Sequence, residues 1–142
     1  MEISTRGRYS LRFMIFVAQH SDGKFVALRD VSESQDISIK YLEQITALLS
    51  KAGLLVSARG PAGGYKLSKP AEQYSVAEIL RVTEGHLAPE IYEDDKSKKK
   101  GHISTRRLWE GLGKTIEKFL EGISLKDLVE QSAGEENYVY VI

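Results

Sequence analysis

The side chains best suited to chemistry gather in two short stretches. Ser38, Lys40, Tyr41, Glu43 and Gln44 crowd the front half of one, and Arg59 stands beside Gly60 at the rim of Arg59-Gly-Pro-Ala-Gly-Gly-Tyr65. Presented on a helix, a glutamate accepts from the N4 amino group of cytosine and a glutamine binds adenine through two bonds. Hydroxyls and a lysine reach phosphate oxygens or base edges. A cation beside a glycine-rich tip suits a narrow minor groove, where the potential is most negative, and the glycines let backbone approach closely. A plainer reading stays open for each stretch. Any amphipathic helix is polar outward, and an arginine at a hairpin tip can simply be solvated.

Catalytic chemistry has no comparable grouping. His20, His86 and His102 lie in turn or linker sequence without metal-ligand spacing, and the acidic residues are spread along helix surfaces. The chain has no cysteine, so it offers no disulfide, no thiolate zinc site, no thiol nucleophile and no cysteine-ligated cluster. The expectation is no enzyme, no catalytic residue, no metal and no cofactor.

The elements that must carry the two stretches follow from periodicity. Residues 5–20 read as a helix capped by Ser4 or Thr5, with Leu11, Met14, Ile15 and Ala18 on one face and Tyr9, Phe13, Phe16 and Val17 on another. A helix apolar on two sides is sandwiched, here between its own domain and either another subunit or a late helix. After a turn at 21–24, residues 28–35 make a short helix with Leu28 and Val31 inward. Ser38 caps a longer one to about Ala52, stopped by Gly53. Its inner stripe is Leu42, Ile45, Leu48/Leu49 and Ala52, which leaves Ser38, Lys40, Glu43, Gln44 and Ala47 outward. Short helix, tight turn and polar-faced second helix make helix-turn-helix grammar. Residues 54–68 then read as a β-hairpin around the Gly/Pro tip. The two together predict a winged-helix DNA-binding domain.

Ser75 caps a helix over 76–83 that ends at Gly85. Residues 86–101, with Pro89, Glu93-Asp94-Asp95 and Lys98-Lys99-Lys100, read as a solvated linker. An amphipathic helix spans about 104–121, its stripe formed by Leu108, Leu112, Thr115, Ile116, Phe119 and Leu120. It is either a core helix of one globule or a dimerisation helix. The first 84 residues look sufficient for a winged domain, so pairing across a dimer is expected to bury the stripe, as two DNA half-sites require. Ser124 caps a short helix over 125–131, and Tyr138-Val-Tyr-Val-Ile142 is a β-prone apolar tail.

The architecture expected is mostly α with a small β-hairpin wing, a winged helix-turn-helix plus a long dimerisation helix. Its parts are a DNA-binding domain over 1–85, a linker over 86–101, a dimerisation helix and short C-terminal helix over 102–132, and a tail over 133–142. With 142 residues, 42% hydrophobic and 28% charged, one domain's worth of chain is present. No apolar run approaches a membrane span, and a cytoplasmic protein is expected. Lys+Arg and Asp+Glu both number 20, yet residues 1–70 carry a net +4 and residues 71–142 a net −4. A basic half beside an acidic one fits a nucleic-acid-facing module joined to another, although solvated surfaces also drift this far.

Several segments together resemble the Rrf2 family of small bacterial winged-helix regulators, the group of the IscR, NsrR and CymR types. They are Ile3-Ser-Thr-Arg-Gly-Arg-Tyr9, Ile37-Ser-Ile-Lys-Tyr-Leu-Glu-Gln44, residues 48–55, Arg59-Gly-Pro-Ala-Gly-Gly-Tyr65, Ala77-Glu-Ile-Leu-Arg-Val-Thr-Glu-Gly85, Leu108-Trp109 and Ile123-Ser-Leu-Lys-Asp-Leu128. The resemblance implies a homodimer on double-stranded, roughly palindromic DNA, with no membrane partner. Ser38, Lys40, Tyr41, Glu43 and Gln44 would face DNA, Arg59 and Gly60 would form the minor-groove tip, and Arg6 and Arg8 would meet phosphates. Leu108, Leu112, Ile116, Phe119 and Leu120 would pair across the dimer and pack on the partner's first helix.

The chain also departs from the family. Cluster-binding members place three cysteines in the stretch that here runs from His86 to Gly101, and iron–sulfur dependence is therefore not expected. The look is nearest the CymR branch, which lacks those cysteines and ends in an aromatic-rich tail closing on isoleucine. That likeness implies a repressor of cysteine or sulfur metabolism and a partnership with a cysteine synthase-like enzyme, docked by Tyr138, Tyr140 and Ile142 with its carboxylate. A tail that frays or pairs with a sheet edge is the alternative. The rival function is an interaction module that holds such an enzyme, with DNA binding secondary.

Overall fold

The structure is a computed structural model that describes residues 2–87 and 100–141; of residues 100–104 and 135–141 it describes the backbone alone. The linker read over 86–101 therefore falls largely outside the described residues, as does Ile142. Helices α1 (Thr5–His20), α2 (Leu28–Gln35) and α3 (Ile39–Lys51) are followed by strands β1 (Leu55–Ala58) and β2 (Gly64–Leu67). A 3-10 turn (Ala71–Gln73) leads into α4 (Val76–Glu84), and α5 (Lys100–Glu121) and α6 (Leu125–Val141) complete the described chain.

Local chemistry sets most of the boundaries. Ser4 caps α1, its hydroxyl accepting from the Gly7 N–H at 3.0 Å. Ser38 caps α3 through Tyr41, and Ser75 caps α4 through Glu78. Between α2 and α3 the chain reverses through Asp36, whose φ of 53° and ψ of 49° are left-handed. A carboxylate residue tolerates this conformation better than most. The reversal is clamped from both sides. Ser32 Oγ donates to the Ile37 carbonyl at 2.6 Å, and the Arg12 guanidinium donates to the Gln35 carbonyl at 2.5 Å and to its side-chain oxygen at 3.1 Å.

β1 and β2 pair antiparallel with Leu55 opposite Leu67 and Ala58 opposite Gly64. A third piece that periodicity did not indicate joins them: Val26 pairs with Tyr65, exchanging N–H···O bonds of 2.7 and 2.9 Å. Gly64, at φ 145°, makes this possible, because a Cβ there would collide with the Val26 carbonyl.

The main core draws on all these helices except α5. Phe13, Met14 and Val17 of α1, Val31 of α2, Leu42, Ile45 and Leu49 of α3, and Ile79 of α4 are fully buried in one cluster. Leu125 of α6 is equally buried in it. The first 84 residues are thus not sufficient alone: the second half returns a side chain to the first half's core. The backbone seals the return, with the Val76 N–H on the Ile123 carbonyl and the Leu125 N–H on the Tyr74 carbonyl, each at 2.9 Å. A smaller cluster of Val76, Ala77, Leu80 and Leu87 receives Leu11 from α1 and Ile116 and Leu120 from α5. The second partner of the two-faced α1 is therefore a late helix and α4 of the same chain. α6 also differs from the reading of a short helix and β-prone tail. Ser124 and Asp127 form a reciprocal cap, with bonds of 2.9 and 3.0 Å. Once nucleated there, the helix propagates to Val141.

Candidate nucleic-acid interface

α3 turns Leu42, Ile45, Thr46 and Leu49 into the core, which rotates Ser38, Lys40, Glu43, Gln44 and Ala47 into solvent. Burying the inner stripe at 3.6 residues per turn leaves no other orientation. Thr46, a polar residue outside the apolar pattern, is buried at little cost because its hydroxyl is satisfied locally, donating to the Glu43 carbonyl at 3.1 Å. Tyr41 is half-buried and meets Tyr9 edge-on, with ring centroids 5.5 Å apart. Part of its surface therefore packs α1 against the start of α3.

Arg12 completes that junction. Its guanidinium lies 5.1 Å from the Tyr9 ring centroid while it holds Gln35 at the end of α2. Sequence reading passed over Arg12 because its partner Gln35 lies 23 residues away and no local spacing marks it. Arg6 and Arg8 are both exposed, and the Arg8 guanidinium donates to the Thr5 hydroxyl at 3.3 Å. Two residues apart on a helix, they point roughly 200° from one another, so they do not serve one spot.

Arg59 and Gly60 stand exposed at the wing tip, Gly60 with φ 98° where the hairpin reverses. The tip is mounted on a firm base. The Tyr74 hydroxyl, buried, donates to the Leu54 carbonyl at 2.6 Å and accepts from the Ser68 N–H at 2.9 Å. Ser68 Oγ reaches the Gly53 carbonyl at 2.8 Å, and Tyr65 sets its ring edge-on to Phe13. Both ends of the hairpin are thereby tied to the end of α3 and to the core.

Among the described residues, the ion pairs join Lys69 to Glu78, Arg81 to Glu121, Arg106 to Glu110 and Lys126 to Glu130. Among the described residues, Lys40, Arg59, Arg6 and Arg8 have no such partner, and on α5 neither do Arg107, Lys114 and Lys118. Charges left unneutralised by the protein retain their full attraction for phosphate.

A second exposed face has the opposite chemistry. On α5, Leu108, Leu112 and Phe119 are 60%, 40% and 66% exposed, beside Trp109 at 40%, a residue the stripe did not include. Ile116 and Leu120, read together with them, instead pack on α4 within the chain. The one stripe is really two adjacent ones. Tyr138 and Tyr140 lie in α6, but their side chains are outside the described residues. Among the described residues no group of three His, Cys, Asp or Glu could hold a metal ion, and no helix is long and apolar enough to cross a membrane.

Known proteins place this geometry. The family model Rrf2, described as an iron-dependent transcriptional regulator, matches residues 3–131. The transcriptional regulator CymR of Bacillus subtilis is 36% identical over 145 residues, covering 100% of each chain. The regulator IscR of Cereibacter sphaeroides is 39% identical over 137 residues, covering 92% of this chain and 88% of its own. Among solved structures, that of CymR, described as the global cysteine regulator of B. subtilis, superposes with a TM-score of 0.81 at 32% identity. The match covers 92% of this chain and 98% of that one.

Proposed function

The chain belongs to the Rrf2 family of winged-helix transcriptional regulators, and from that premise we propose that it is a homodimeric, sequence-specific repressor that works without an iron–sulfur cluster. The observation that carries the reading is the pairing of two exposed faces of opposite chemistry. α3 and the wing tip offer polar groups and unpaired cations, and α5 offers Leu108, Leu112 and Phe119. Two copies joined through α5 carry two α3 helices into successive major grooves and two Arg59 side chains into flanking minor grooves. Ser38 and Lys40 take phosphates or base edges, Glu43 and Gln44 read bases, and Arg6 and Arg8 add phosphate contacts.

The family description names iron, and the residues here do not fit a cluster. The 142 residues include no cysteine. Of the histidines, His20 is stacked on Phe16 with its Nδ1 2.9 Å from that residue's carbonyl. Without soft thiolate ligands an iron–sulfur centre has nothing to hold it. Likeness to CymR supports control of cysteine or sulfur metabolism. Docking of a cysteine synthase-like enzyme by the C-terminal tail would require the last turns of α6 to unwind, since a pocket accepts an extended terminus.

The test is selection of bound duplexes from a genomic pool, with sedimentation of the free protein. A recovered inverted repeat, a dimer in solution and affinity that falls steeply with salt are expected. A monomer, or duplexes without a shared motif, refutes the reading.

A further inference from the structure

Ile39 is the first residue of α3 and is 44% exposed, whereas Ile37, two residues before it, and Leu42, three residues after it, are buried. The core has taken the two apolar neighbours and left this one outside. Nor is it isolated on the surface. Ile39, Glu43 and Ala47 follow at intervals of four, so they form one ridge along α3, and all three are exposed. The ridge is apolar, acidic, apolar, rather than uniformly polar. In a major groove, the apolar feature that base edges present is the C5-methyl of thymine.

Building on the DNA-reading role of α3, we propose that Ile39 is a specificity-determining residue that packs on a thymine methyl group. Four residues of helix advance about 6 Å, and base pairs stack about 3.4 Å apart. The thymine therefore lies within about two base pairs of the base that Glu43 reads. A branched side chain here also enters with little freedom to lose, because its χ1 is already restricted in a helix.

The test acts on the DNA first, so it does not depend on a variant folding. In the duplex recovered by selection, each thymine is replaced in turn by deoxyuridine, which removes the methyl and leaves the pairing edge and backbone unchanged. Binding of the full chain is measured at fixed salt. One position per half-site is expected to weaken binding about fourfold, the effect of one methyl returned to water, and about fifteenfold when both half-sites are changed. Ile39→Ala, which alters both protomers of the dimer, is expected to bind the thymine duplex about fifteenfold more weakly and to make no distinction between the two duplexes. Indifference of the native chain to every thymine-to-uracil change, or unaltered sensitivity in Ile39→Ala, overturns the inference while leaving the regulator reading in place. Failure to select any duplex overturns both.

Discussion

The winged face and the α5 face are both exposed, yet they are exposed for different reasons. On α3 the outward side chains are mostly polar or charged. Leu42, Ile45, Thr46 and Leu49 are buried while Ala52, read into the inner stripe, is exposed past the helix end, and the wing is tied down by Tyr74, Ser68 and Val26. Most of the apolar surface of that region is met within the chain, Ile39 and Val56 being the exceptions, and what remains is a largely polar relief. On α5 only half of the apolar surface is met: Ile116 and Leu120 reach α4, while Leu108, Leu112 and Phe119 stay in water. A face complete in itself suits a ligand that is polar and shaped. An incomplete apolar face needs more protein. That difference is what supports the proposed division of labour, with the polar side offered to DNA and the apolar side to a second copy.

The largest expected effect comes from breaking the second face. Leu112→Asp with Phe119→Asp leaves the internal contacts of Ile116 and Leu120 alone but puts charge into the stripe. Sedimentation should then report monomers, and operator affinity should fall by about 10²–10⁴, the gain that linking two modules supplies. Persistence of the dimer would show that the α5 stripe is not the interface. Next is Leu125→Ala, which sharpens the contrast by testing how far the second half completes the first. Loss of this fully buried side chain should cost about 2–5 kcal/mol in urea unfolding. A change near zero would mean the winged module stands without α6.

On the polar face the effects should be smaller and confined to DNA. Arg59→Ala should leave the melting temperature unchanged and weaken binding by about 1.5–3 kcal/mol, as loss of a charge-assisted bond does. Its salt slope should become shallower by about two, one for each protomer's cation. Gln44→Ala should lose about 1–3 kcal/mol of preference at a single base pair and little on random duplex. Equal losses on both duplexes would move Gln44 from base reading to phosphate contact.

Short-range rules made much of this legible without coordinates. Serine caps at 4, 38 and 75, the turn at Asp36 and the inner stripe of α3 each depend on groups within a few residues of one another. The outward rotation of Glu43 and Gln44 follows from the same stripe. The exposed position of Arg59 follows from the glycine-rich tip. Arg12 was missed because its role is to bind Gln35, 23 residues away, and no local pattern encodes such a partner. Tyr41 was read as facing outward only, although Tyr9 takes part of its ring.

Sequence alone determined which segments coil up to residue 131, where the α2–α3 reversal falls, which side of α3 is polar, and that no thiolate chemistry is open to the chain; it missed the run of α6 on to Val141. Tertiary structure decided that Val26 joins the wing, that Leu125 plugs the first half's core, and that the apolar stripe of α5 divides between a neighbour in the same chain and open solvent. The physical reason is range. A cap or a period is satisfied by atoms a turn away, whereas the choice of which apolar face buries against which depends on the whole chain's competition for a limited interior.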